Sequence, residues 1–300
     1  MRQSISVASA VLFLTLTLFC QSSLPSASGA VSTSSSGNPA STRSLLISAR
    51  AKDGPVAELT AADLEVKEEG KPVQIQQVRK VGRLPLRYCV LFDSSNSERD
   101  RFKLQQDTAV RLLQRVVRPG TDHGRLGLFA DEYVESNETD NPASITDNIG
   151  SALPGGGTAL YDAITTCARH FAEGPAASFL RVMFVFSDGV DNASRMSPVG
   201  TIDAALLARI RIYAIGQDNE RDSKGTSFLK KLSETTGGRF FAPARPKGAD
   251  KAAAELNYDL QNSFEVTYVS GSSTSDNRSR SIEVKCTRKG VTVFAPKRVY

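Results

Sequence analysis

The sequence predicts an α/β domain, a doubly wound and mostly parallel sheet with helices on both faces, inserted into a small β-sandwich formed by its N- and C-terminal flanks. Three observations predict it. Unbroken apolar runs at 88–92, 182–186 and 212–215 alternate with stripes of helical spacing. Short alternating runs punctuated by turn residues come before position 81 and return after 263. Neither flank holds enough strands to close a core alone, so the two are expected to pair. A chain of 300 residues with 40% hydrophobic content is long enough for both units.

The first segment reads as a leader. Arg2 precedes an apolar run from Val7 to Phe19, and the small residues from Pro25 to Ala30 offer cleavage sites, so residues 1–30 are expected to be a signal peptide. The run is too short for a comfortable membrane span. Cys20 suggests a lipid anchor as the one route to a membrane, but Leu18 and Phe19 before it match that signal poorly. Residues 31–44, rich in Ser, Thr and Gly, read as a flexible linker, with order expected from Leu45.

The N-terminal β segment spans 45–85, with turns at Asp53-Gly54-Pro55 and Glu69-Gly70. The α/β domain spans 86–262. Its first strand covers Tyr88 to Phe92, and its first helix runs from Phe102 to Val117, where Pro119 and Gly120 stop it. A second strand at Arg125–Phe129 is followed by a polar stretch, with His123 in a turn before it. A helix then carries Leu160, Ile164, Cys167 and Phe171 on one stripe. The third strand, Val182–Phe186, is the most apolar. Ser197 and Pro198 open the next helix as cap and first turn, and a strand follows at 212–215. Two more helices are expected near 227–235 and 250–262. The C-terminal β segment, 263–300, carries runs at 264–268, 282–286 and 291–294.

The net charge of +5 is too weak to imply nucleic acid. Basic residues gather at Arg278, Arg280, Lys285, Arg288, Lys289, Lys297 and Arg298, either as a patch for an acidic surface or as a solvated face. Outside the leader only Cys89, Cys167 and Cys286 occur, at no metal-ligand spacing. No disulfide framework follows, and Cys89 and Cys167 read as buried small hydrophobes. His123 and His170 sit beside no reactive Ser or Cys motif. Neither a nucleophile elbow nor a phosphate loop is present, so no enzyme is expected.

Chemistry collects where strands end. The first strand runs into Asp93-Ser94-Ser95-Asn96-Ser97, where residues two apart can aim a carboxylate and two hydroxyls the same way, a set suited to a hard cation. The glycines 155–157 allow close backbone approach and leave Thr158 at a helix start. Ser187-Asp188-Gly189 ends the third strand and supplies a second carboxylate. Few negative charges leave a divalent ion electrophilic, able to take an oxygen ligand from a partner. Asp162, four residues after Thr158, is placed either to hydrogen-bond this site or to face solvent. Asp191 and Asp131 read as loop carboxylates.

In these residues the chain resembles the von Willebrand factor A family, with its Rossmann-like domain and its metal-ion-dependent adhesion site of Asp-x-Ser-x-Ser, Thr and Asp. The matching positions are Asp93, Ser95, Ser97, Thr158 and Asp188. Asn96 stands where many members carry Gly, and Glu98 where Met is common. The stretches Leu59–Val66, Glu68–Pro72, Thr236–Gly238 and Gly290–Arg298 further resemble an exported acidobacterial-type von Willebrand factor A-related group.

The resemblance implies one divalent cation, magnesium first with calcium and manganese as alternatives. It also implies a non-enzymatic adhesion module, exported to the periplasm or outside the cell, that binds a protein partner through an acidic side chain. The alternatives are a structural envelope component whose metal merely stabilises the fold, and a phosphatase-like enzyme attacking through Asp93. The latter pattern wants an Asp at position 95, where this chain has Ser.

Overall fold

The computed structural model describes residues 41–52, 54–172, 179–217, 223–271 and 278–300. The expected leader and residues 31–40 of the expected linker lie outside them. The chain opens with β1 (Ser41–Ala51), β2 (Leu64–Glu68), β3 (Lys71–Pro72) and β4 (Gln74–Lys80). The expected linker therefore ends four residues early. Ser41 to Ser44 already pair with Ser270 to Thr267, because a strand ladder is made by backbone groups and needs no apolar side chain.

The α/β domain follows as β5 (Leu86–Asp93), α1 (Phe102–Val116), β6 (His123–Phe129), β7 (Tyr133–Glu135), α2 (Pro142–Ser151), α3 (Leu160–Ala172), β8 (Leu180–Phe186), α4 (Pro198–Leu207), β9 (Arg211–Ile215), α5 (Ser223–Thr235), β10 (Phe240–Phe241) and α6 (Pro246–Gln261). The sheet order is β10-β9-β8-β5-β6-β7, parallel except for β7 at one edge. Side chains alternate along each strand. Tyr88, Val90, Phe92, Val182, Phe184 and Tyr213 pack with α1, α2 and α6, while Cys89, Leu91, Met183, Val185 and Ile212 pack with α3, α4 and α5. That is why these strands read as continuous apolar runs.

Three features differ from the sequence reading. The stretch after β6 contains β7 and α2, which were not expected; α2 buries only Ile145, Thr146 and Ile149 and is started by Asn141, whose side chain accepts the Ala143 N–H at 3.1 Å. His123 opens β6 opposite Arg87 instead of lying in a turn. Cys89 and Cys167, both fully buried, are joined by a disulfide. They lie 78 residues apart in sequence, and only the packing of α3 on β5 brings them together.

After α6 come β11 (Ser263–Ser270), β12 (Arg280–Cys286), β13 (Val291–Phe294) and β14 (Arg298–Val299). They combine with the first four strands into two sheets, β13-β1-β11-β4 and β14-β12-β2-β3. Leu45, Ile47, Val66, Phe264, Val266, Tyr268 and Ile282 from both sheets share one core. Most of the C-terminal basic residues have partners within the chain, so they do not form a free patch. Arg288 meets Asp63 at 2.7 Å, Lys297 meets Glu234 at 2.5 Å, and Arg298 meets Asp203 at 3.3 Å, while Arg280 is buried. Among the described residues no helix is long and apolar enough to cross a membrane.

Candidate metal centre

The strand order reverses beside β5, since the chain steps from β5 to β6 on one side and later returns to β8 on the other. Such a crevice at the carboxyl ends of parallel strands is where open α/β sheets bind ligands. β5 ends in Asp93 and β8 runs into Ser187-Asp188.

Asp93 is fully buried. Its Oδ1 accepts the Ser95 N–H at 3.0 Å, and its Oδ2 accepts the Ser187 hydroxyl at 2.6 Å. The first bond makes the chain turn directly after the strand. Ser95, also buried, turns its hydroxyl to within 2.9 Å of the Ser97 hydroxyl, and Ser97 is exposed at the rim. Carboxylate oxygens of Asp93, Glu98 and Asp188 all lie within 4.8 Å of one another. Asp188 itself accepts the Val190 N–H at 2.9 Å, while Gly189, at φ +86°, passes against the backbone of Gly225 at the start of α5.

Thr158 arrives on the loop before α3. Two backbone bonds tie that loop to the Asp93 turn: Gly155 N–H to the Ser94 carbonyl at 2.7 Å, and Asn96 N–H to the Gly156 carbonyl at 3.1 Å. Gly156 has φ +77°, and a Cβ there would stand 2.3 Å from Asp131 Oδ2. Gly157 donates its N–H to Asp131 Oδ1 at 2.9 Å, and Thr158 donates its N–H to Asn192 Oδ1 at 2.8 Å. Thr158 is thus buried and anchored from both sides.

The remaining acids organise loops. Asp191 accepts the Tyr161 N–H and the Ser194 hydroxyl, at 2.9 and 2.6 Å. Asp162 neither bonds a site side chain nor points free into water. It accepts the Arg195 and Met196 N–H groups, at 3.1 and 2.9 Å, and so fixes the loop after β8. Ser187 and Asn192 are the contributors that sequence reasoning missed. The only signal for Ser187 was a hydroxyl directly after the most apolar strand.

Burial and mutual repulsion dominate the electrostatics of the cluster. Burial, opposed by the Ser187 and Ser95 hydrogen bonds, raises the Asp93 carboxyl to about 6. Burial, with the charges of Asp93 and Asp188 behind it, raises Glu98 to about 8. Carboxylates crowded this way are costly as anions unless a positive charge joins them. The donor set of carboxylates and hydroxyls, all oxygen, fits a hard divalent cation.

No protein-family model and no curated protein matches the chain. Solved structures do align with it. A von Willebrand factor type A protein from Catenulispora acidiphila aligns at 11% identity over 85% of this chain and 73% of its own, with a TM-score of 0.47. The manganese-loaded TRAP protein of Plasmodium vivax aligns at 14% over 73% and 96%, with a TM-score of 0.46. Proximal thread matrix protein 1 of the mussel byssus, with a zinc-occupied metal-ion-dependent adhesion site motif, aligns at 18% over 63% and 47%, with a TM-score of 0.47. The mostly parallel six-stranded sheet with helices on both faces is the fold class expected from the sequence.

Proposed function

We propose that this chain is a non-enzymatic, cation-dependent binding module that works outside the cytoplasm and recognises a protein partner through an acidic side chain. The observation that carries the reading is the arrangement of Asp93, Ser95, Ser97 and Asp188 at the carboxyl ends of β5 and β8, with Ser97 exposed beside the buried cluster. A divalent cation, magnesium first, would be held by Asp93, Ser95, Ser97, Thr158 and Asp188 and would supply an electrophilic centre for a partner carboxylate.

What the chain's own groups contribute is position. Ser187 and the Ser95 N–H hold the Asp93 carboxylate, and the glycine loop holds Thr158. Export rests on the leader pattern in residues 1–30. A binding role rather than hydrolysis is supported by Ser95, which stands where an aspartyl phosphatase would need its acid.

The test is capture of protein partners from the exported fraction by immobilised chain, with magnesium or with chelator, beside Thr158→Ala. Partners retained only with the ion, lost with Thr158→Ala and displaced by an acidic peptide support the reading. Retention that ignores chelator and variant overturns it.

A further inference from the structure

Glu98 is the feature of the site that the five-residue pattern leaves unexplained. It follows directly on Ser97, in the short 3-10 turn Asn96–Arg101, yet it is only 2% exposed. Its carboxylate shares a sphere of 4.8 Å with those of Asp93 and Asp188. The N–H of Asp188 and the charge of Arg101 favour its anion, and burial and the two aspartates oppose them more strongly. A buried carboxylate normally has a cation or a set of donors to hold it. Here two of its neighbours are the acids already read as cation ligands.

We propose that Glu98 is a sixth metal-binding side chain, a third carboxylate through which this site holds its cation from protein groups alone, before any partner arrives. The inference rests on the cation reading of the site and deepens it. Ligand charge sets the affinity of oxygen sites for divalent ions, so a third carboxylate strengthens retention. With Asp93, Asp188, Ser95, Ser97 and Thr158 it raises the side-chain oxygen donors offered by the protein from five groups to six.

The experiment is calorimetric titration of the full chain, freed of metal, with manganese and with magnesium. Wild type, Glu98→Gln, Glu98→Met and Ser95→Ala are compared, with circular dichroism and melting temperature recorded for each. Wild type is expected to take one ion per chain. Glu98→Gln, which keeps shape and loses charge, should bind at least about tenfold more weakly. Both Glu98 variants should gain less in melting temperature from added ion than wild type does. Glu98→Met covers the case in which the amide itself disturbs the fold.

Binding by folded Glu98→Gln and Glu98→Met within about threefold of wild type, with Ser95→Ala impaired, overturns this proposal and leaves the five-residue reading standing. A wild type that takes no ion without a partner also overturns it. Loss of binding in the Glu98 variants combined with no acid-dependent partner retains the proposal and removes the adhesion reading instead.

Discussion

Single residues decide how the Asp93 carboxylate is held. Ser187 donates its hydroxyl to Asp93 at 2.6 Å inside the protein, and Gly189 donates its N–H back to the Ser187 oxygen at 3.0 Å. Removing that hydroxyl leaves a buried carboxylate one donor short. Ser187→Ala is therefore expected to cost about 1–3 kcal/mol in urea unfolding of the metal-free protein and to weaken manganese binding measured by calorimetry. A second acid, Asp122, shows the opposite case, a buried carboxylate that is fully served. It accepts the Leu86 and Arg118 N–H groups at 2.9 and 2.8 Å and pairs with Arg118 and Arg83 at 2.8 and 3.0 Å. Burial alone would raise its carboxyl, but the Arg118 and Leu86 hydrogen bonds outweigh it and hold the group below the ordinary carboxylate range. A depressed value stabilises the fold above the unfolded-state value of about 4 and gives that stability up as pH falls through the folded value. Asp122→Ala should lose about 3 kcal/mol at pH 7 by urea unfolding, and the gap from wild type should narrow as the pH is taken down to about 3.

At the scale of elements, the site is a meeting of two loops and depends on how closely they approach. The loop before α3 reaches the Asp93 turn only because Gly156 occupies the left-handed region with Asp131 against it. In Gly156→Ala the new methyl strains a left-handed backbone and must push aside the Asp131 carboxylate that ties down Gly157, next to Thr158. The expected signature is a loss of manganese affinity larger than the loss of stability, which is about 1–2 kcal/mol by strain. Farther down the same elements, the Cys89–Cys167 disulfide fastens α3 to β5, the two elements whose ends carry Thr158 and Asp93. A disulfide of this kind typically contributes about 2–4 kcal/mol. Cys167→Ala should lower the melting temperature accordingly, and a melting temperature unchanged from wild type would mean that packing alone holds α3.

The whole molecule is joined by groups that no single segment contains. Arg50 on β1 and Arg239 before β10 both grip the pair Glu255 and Asp259 of α6, at distances between 2.7 and 3.1 Å. Both guanidinium groups also lie over the Phe294 ring of β13. The sandwich and the α/β domain thus share one polar joint, with Asp259 buried at its centre. Deleting residues 263–300 takes β11 from between β1 and β4 and β12 from beside β2. The shortened chain is expected to expose its N-terminal strands, so that limited proteolysis cuts within 45–80 at a rate at which the full chain stays intact. A protected N-terminal segment in that truncation would refute the shared core.

What the sequence by itself determined follows from periodicity. The strands of the central sheet are buried on both faces, so they read as apolar runs, and the polar residues at their ends, Asp93 and Asp188, stand out by contrast. Ser95 and Ser97 were legible in the turn after Asp93 because local turns are short-range chemistry, and Thr158 was read from the glycine loop before a helix and from the family resemblance. α2 escaped because its two buried isoleucines form too thin a stripe, and the start of β1 escaped because its ladder is made by backbone groups that every residue type carries. Only the tertiary structure decided the rest. That Glu98 is buried against two aspartates, that Ser187 serves Asp93, and that Cys167 lies on Cys89 depend on which faces of distant elements meet, and long-range packing fixes those contacts where no local pattern does.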